Sequence, residues 1–390
     1  MKKRTQFWVA GAFFCAAIVM ACQKEDHLLN GNLTTTETKT PTVIIPSNNA
    51  LNTEKVTLGK MLFWDPILSG NKDVACATCH HPNNAYTDGL DLSIGTNAIG
   101  YGINRHFLSP NTLPLIKRNS MTVLNTVFNG MSADGTVNQE TAPMFWDSRT
   151  HSLETQSLQP IMTLEEMRGH AYTEALSLDS IVNRLKNIAE YRLLFKNAFG
   201  SEQTINAANI GKAIADFERT LVANNSPYDR YQKGDKTAMT TLQIEGMQAF
   251  TDVGCVNCHS GPMFSDYQLH ILSVPDNARI AGTDAGANGN YSFRTASLRN
   301  VTLTAPFMHN GVFQNLNQIL QFYGNIAGGN SQNPQVNIRQ VDPKIRQVRI
   351  RNNQQRLIAF INALTDTNFD KSIPARVPSN LNPGGSIKNF

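Results

Sequence analysis

Two short stretches decide how this chain is read: Cys76-Ala77-Thr78-Cys79-His80 and Cys255-Val256-Asn257-Cys258-His259. Each is C-x-x-C-H, the attachment signature of a c-type haem. Two thiols add across the haem vinyl groups, and the adjoining histidine is placed to bind the iron. One such motif is ambiguous, because C-x-x-C also serves zinc sites and redox dithiols. Two copies, both with the histidine, make His80 and His259 the proximal ligands of two covalently bound haems.

Outward from the motifs, the cysteine inventory closes. The chain has 6 cysteines. Four lie in the motifs, Cys15 lies in an apolar leader and Cys22 ends it. The leader carries Lys2, Lys3 and Arg4, then an apolar run from Phe7 to Ala21, which is the pattern of a secretory signal peptide. Val19-Met20-Ala21-Cys22 resembles a bacterial lipoprotein box, so lipid attachment at Cys22 and a periplasm-facing protein of a Gram-negative bacterium are expected. No cysteine pair is then left for a disulfide, although export would permit one. A lipid anchor tethers a soluble body and does not span the bilayer. The formal net charge of +4 is too small to argue for nucleic acid.

The remaining organisation follows composition and periodicity. Residues 1–21 read as leader and 22–50, rich in Thr and Asn, as a flexible tether. Order is expected from about Leu51, with a short helix at 57–66 stopped by Pro66. From Asp91 to Lys117 there is no clean period, which reads as a long loop over a haem; loops of that length are usually functional. Amphipathic helix spacing marks residues 173–198, with a break near Tyr191. It marks 205–222 as well, where Ile210, Ile214, Phe217 and Leu221 share one face. Further helices are expected at 241–250, from Leu316 through Tyr323, and at 354–364. The turn-rich stretch 224–234 reads as the link between an N-terminal haem domain (51–223) and a C-terminal one (224–375), with a Pro/Gly/Asn-rich tail from 376 to 390. No extended alternation of strand type is present, so the fold class is mostly α.

Several strings in order resemble the bacterial dihaem cytochrome c peroxidases, including their MauG-like branch. They are Leu62-Phe63-Trp64-Asp65, Arg118-Asn119-Ser120, Phe145-Trp146-Asp147 with Arg149, Ser297-Leu298-Arg299-Asn300-Val301 and Thr304 to Gly311, beside the two motifs. The resemblance runs from about Leu58 to Leu364. It implies two cytochrome-c-like α-helical domains, each holding one haem, packed around an inter-domain calcium ion. It also implies an oxidoreductase that reduces hydrogen peroxide with electrons from a small cytochrome c or cupredoxin, and it admits a homodimer.

The resemblance assigns roles residue by residue. Glu166 and Gln156 stand where the family places a proton-shuttling carboxyl and an orienting amide, with Glu165 the alternative carboxyl. Trp146 stands where an indole bridges the haems. Asn119, Thr304 and Pro306 match the calcium ligands, one by its side chain and two by backbone oxygens. Many members carry a distal histidine just after Ser-Ile-Gly. Here Ser93-Ile94-Gly95 is followed by Thr96, so the first haem is expected to be open to peroxide, with His106 the one later loop histidine that could reach it. His81 reads as a surface or structural side chain. At the second haem, Tyr323 takes the place of the usual methionine, as in the MauG-like branch. A phenolate favours higher iron oxidation states. Met308 and Met263 are the competing ligands.

Three functions therefore stand open. One is peroxide reduction; the second is MauG-like oxidation of Tyr or Trp in a partner protein; the third is electron transfer without catalysis. Glu166 with Gln156 argues against the third, since an electron carrier needs no proton shuttle.

Overall fold

The structure is a computed structural model that describes residues 41–387. The leader, Cys22 and the first part of the tether lie outside the described residues. Eleven α-helices occur among these residues. In order they are α1 (Thr53–Trp64), α2 (Cys76–Cys79), α3 (Leu153–Gln156), α4 (Gln159–Met162), α5 (Glu174–Lys186), α6 (Ala189–Phe199), α7 (Ala207–Arg219), α8 (Pro227–Gln232), α9 (Thr241–Asp252), α10 (Leu316–Ala327) and α11 (Gln354–Ala363). Strands are confined to three two-stranded antiparallel pairs, 98–99 with 106–107, 143–144 with 150–151, and 269–271 with 292–294.

Each helix has a local cause. Asn52 caps α1 by accepting from the Lys55 amide, and the chain leaves the helix at Asp65, just before Pro66. The ring of a proline at that point cannot continue a helix. The 173–198 pattern divides at Asn187 and Ile188, not at Tyr191. Ile188 adopts an extended conformation and ends one amphipathic run before the next begins. The expected face of α7 is the buried one, with Ile210, Ile214, Phe217 and Leu221 all within the first apolar cluster. Burying one such side chain contributes about 1.5–3 kcal/mol.

The two haem motifs sit in similar frames. Upstream of the first, α1 packs on α7 at Gly59, where a Cβ would fall 1.9 Å from the Ala213 carbonyl oxygen. Upstream of the second, α9 packs on α11 at Gly246, where a Cβ would fall 2.0 Å from the Arg356 carbonyl oxygen. In both pairs the absent side chain lets two helix backbones meet, which sets the wall behind each motif.

Three stretches carry more structure than their composition suggests. Order begins before Leu51: Asn49 is buried and donates through Nδ2 to Glu154, Asp216 and the Lys212 carbonyl. Within 224–234, Ser226 and Asp229 form a capping box for α8, and Asp229 pairs with Arg299 in the interior. The tail is packed. Val377 joins the first apolar cluster, Thr78 donates to the Gly384 carbonyl at 2.8 Å, and the Gly384 amide donates to the Trp64 carbonyl at 2.7 Å. The end of the chain thus straps the outer side of the first motif. Among the described residues no helix is long and apolar enough to cross a membrane.

Candidate active site: one cavity reaching both haem motifs

Both motifs line a single cavity of about 400 Å3. Cys76, Cys79, His80, Cys255, Cys258 and His259 all face it, and none of the four cysteines is in a disulfide. The histidines are oriented by their far nitrogens. His80 Nδ1 lies 3.2 Å from the Tyr86 carbonyl and 3.3 Å from Ser120 Oγ, and His259 Nδ1 lies 3.0 Å from the Phe264 carbonyl. Bonds of that kind fix the ring and leave Nε2 for a metal. Burial holds both imidazoles below their ordinary pKa, which keeps them neutral as ligands must be. Free thiols, anchored histidines and a shared apolar cavity are what two covalent haems require, so these residues fit the group.

The side of the cavity nearest Glu166 is built by α3, α4 and one π-helical turn, Leu164–Arg168. Turns of this type recur at functional sites. Glu166, Gln156, Pro160 and Met167 line the cavity, whereas Glu165 does not. Burial pushes the Glu166 carboxyl up to about 7; Arg149 lowers it, and Glu165 raises it further. A carboxyl near 7 exchanges protons at neutral pH.

The loop over this turn is stitched down. A Cβ on Gly95 would fall 2.1 Å from the Glu165 carbonyl oxygen and 2.3 Å from that of Glu166, so only glycine permits this approach. The Thr96 amide donates to the Glu166 carbonyl, and Thr96 Oγ1 donates to Asp73 at 2.7 Å. Buried Arg105 donates to the carbonyls of Ile94 and Gly95, both at 2.6 Å. Thr96, the residue that follows Ser93-Ile94-Gly95, is therefore turned onto Asp73. His106 is exposed on the hairpin, bonded to the Asn104 carbonyl, and does not line the cavity. His81 is fully buried between the Trp64 and Tyr101 rings, a structural place.

Trp146 lines the same cavity and donates from Nε1 to the Asn119 carbonyl at 2.9 Å. The Asn119 amide donates in turn to the His309 carbonyl, and the Arg294 amide donates to the Trp146 carbonyl. Arg118 pairs with Asp147 and Asp284, tying the 145–149 segment to the 276–290 loop. The indole is thus fixed by backbone drawn from early and late parts of the chain. Asn119, Thr304 and Pro306 also line the cavity, and Asn119 turns its side-chain nitrogen onto the Leu90 carbonyl. That orientation leaves its side-chain oxygen as the donor a hard cation would use.

Facing the second motif is α10, which presents Tyr323 to the cavity. Tyr323 packs in one apolar cluster with Cys255 and Val256, which sets the ring beside that motif, and burial raises its phenol pKa. Met308 also lines the cavity; Met263 is buried elsewhere, against Val127 and Phe128. His270 stands at the same edge, bonded to Asp342 at 2.6 Å and to Asp266 at 3.0 Å. The bond to Asp266 is the largest of the causes that push its pKa up to about 10.

Sequence reasoning missed Glu218. It is 4% exposed, yet it lines the cavity. Its signal was its register: Gly211, Ala215 and Glu218 form a stripe on α7, and Gly211 meets the Glu154 carbonyl of α3.

A family model described as di-haem cytochrome c peroxidase matches residues 53–237. The methylamine utilization protein MauG of Methylorubrum extorquens is 37% identical over 294 residues, 73% of this chain and 72% of that protein. Cytochrome-c peroxidase IdrP1 of Pseudomonas sp. (strain SCT) is 32% identical over 363 residues, 83% of this chain and 84% of that protein. The crystal structure of a MauG-like protein associated with microbial copper homeostasis shares the fold with a TM-score of 0.66 at 24% identity, over 84% of this chain and 94% of that one. The chain belongs to the di-haem cytochrome c peroxidase family. It is an oxidoreductase with two c-type haems.

Proposed function

We propose that this protein reduces hydrogen peroxide to water at the cavity beside His80, with two electrons from a small redox protein. The observation that carries the reading is Glu166, a carboxyl held near 7 in the cavity wall with Gln156. When bound, the haems supply the electrophilic iron that takes peroxide and a second redox centre that shares the two-electron load. The chain supplies the rest. Glu166 accepts the proton from the inner peroxide oxygen and returns it to the outer one, which then leaves as water. Gln156 orients the peroxide and meets the charge that develops on it. Trp146, held by Asn119, offers an oxidisable ring between the two motifs. Tyr323, which lines the cavity on the side of the second motif, would supply an oxygen ligand to the haem held there. Asn119, Thr304 and Pro306 hold a calcium ion that fixes the geometry between the motifs, oxygen donors being the set calcium prefers.

The export readings belong to the same proposal: a periplasm-facing enzyme tethered by lipid at Cys22. A second reading is favoured by Tyr323, the tyrosine that the MauG-like branch also carries. In it the same oxidising equivalents are withdrawn from Tyr or Trp in a partner protein. The test is rapid mixing of the ferric holoprotein with one equivalent of peroxide, for the native protein and Glu166→Gln. A prompt reaction in the first and its loss in the second support the reading; equal rates refute the role of Glu166. Rapid oxidation of reduced cytochrome c in steady state favours the peroxidase over the second reading.

A further inference from the structure

Two carboxyls line the cavity among the described residues, Glu166 and Glu218. The proposed reaction uses only the first. Glu218 lies in the last turn of α7, and its Oε2 has no hydrogen-bond partner. A buried carboxylate without a partner is costly, so such a group stays protonated unless a cation faces it. The cation facing it, Arg219, is already engaged. Arg219 donates to Gln139, Asp216 and Glu154, and Lys55 pairs with Asp216. The remaining charge facing it is Glu154, which opposes ionisation, and burial with that neighbour pushes the Glu218 carboxyl up to about 8 against the pull of Arg219. Glu218 and Glu166 also act on one atom: both raise the Cys76 thiol, Glu218 the more strongly. Both carboxyls line the same cavity as Cys76.

The stoichiometry of the reaction gives this arrangement a use. Reducing one peroxide to two waters breaks the O–O bond and takes up two electrons and two protons. The transfer through Glu166 moves a proton from one peroxide oxygen to the other and brings none in. Both net protons must enter a cavity walled by protein.

We propose that Glu218 is the proton-supplying residue for the reductive half of the cycle, handing the proton on Oε2 to the oxygen left in the cavity as the donor's electrons arrive. The resulting carboxylate is reprotonated from solvent on the Glu154 side, where that side chain is 16% exposed. Glu218 acts through water or Glu166, and it does not touch the iron. This rests on the peroxide reading above.

Two measurements on the holoprotein test it. The first needs no turnover: infrared difference spectra across a pH titration should show a protonated-carboxyl C=O band that disappears near pH 8 and is missing in Glu218→Gln. Absence of that band in the native protein overturns the proposal. The second separates the half-reactions by rapid mixing. Glu218→Gln should leave the reaction with peroxide within about twofold, and slow the return to the resting state on adding reduced cytochrome c on the order of 10²-fold. The return should also lose its pH dependence, and Glu218→Asp should restore most of it. Equal loss of both phases in Gln and Asp variants means a packing role, and an unchanged return rate means no role; either overturns the proposal. If the native protein does not react with peroxide at all, the peroxide reading fails, while the infrared band still reports on Glu218.

Discussion

Glu166→Gln is the substitution with the most to say. The native carboxyl is displaced from 4.5 to about 7, first by burial, then by Glu165, with Arg149 opposing. A displacement of that size corresponds to about 3 kcal/mol of differential interaction between its two protonation states. Because the folded pKa is raised, the folded state holds the proton longer than the unfolded chain. Below pH 4.5 both states are protonated and Glu166 costs nothing. Between pH 4.5 and 7 stability falls as pH rises, and above 7 the full penalty is present. Gln has the same shape and cannot ionise. Denaturant unfolding of the native and Gln holoproteins should therefore give similar stabilities at pH 4.5, with the variant gaining up to about 3 kcal/mol at pH 8. In rapid mixing the same variant should react with peroxide on the order of 10²–10⁴-fold more slowly, the range that positioned acid–base groups contribute. The native rate should rise with pH through about 7, as the carboxylate forms, and the variant's should be flat. A stability difference that does not change with pH would refute the burial argument. An unchanged peroxide rate would refute the shuttle.

Other substitutions probe separate parts of the account. Arg299→Ala removes the partner of Asp229 where both side chains are 2% exposed, and Nε of Arg299 also donates to the Pro262 carbonyl. Leaving a buried charge unpaired should cost about 3–5 kcal/mol in denaturant unfolding. Tyr323→Phe keeps the ring and deletes the oxygen proposed as ligand. The spectrum of the second haem should change and its reduction potential should move; an identical spectrum and potential would remove Tyr323 from the ligand set. His106→Ala should leave the ferric spectrum and peroxide rate as they are, since His106 is exposed and bonded to its own loop.

The motifs were legible because covalent haem attachment needs a fixed local spacing, and local spacing is what a sequence displays. Helix positions were legible for the same reason: α7 announced its buried face through Ile210, Ile214, Phe217 and Leu221. What was not legible depends on contacts between distant residues. The tail is rich in Pro, Gly and Asn, and it is held by backbone bonds at Trp64 and Asp73 that composition cannot show. Asn49 looked like tether because its partners, Glu154 and Asp216, come from helices more than a hundred residues away. Glu218 was hidden by its neighbours. A charged pair at the end of an amphipathic helix normally faces solvent, whereas here α3 packs closely on α7 at Gly211, two turns before Glu218. The placement of Tyr323 was legible only through the family resemblance, because on helical spacing alone it is one more aromatic on an apolar face.

The central claim is that the haem held by His80 is open to peroxide, with Thr96 tied to Asp73 and His106 outside the cavity. The direct measurement is the electron paramagnetic resonance spectrum of the as-isolated ferric holoprotein, before and after one equivalent of hydrogen peroxide. One high-spin and one low-spin haem are expected at rest, with loss of the high-spin signal within the mixing time and without any prior reduction. Two low-spin haems that stay unchanged until the protein is half-reduced would contradict it.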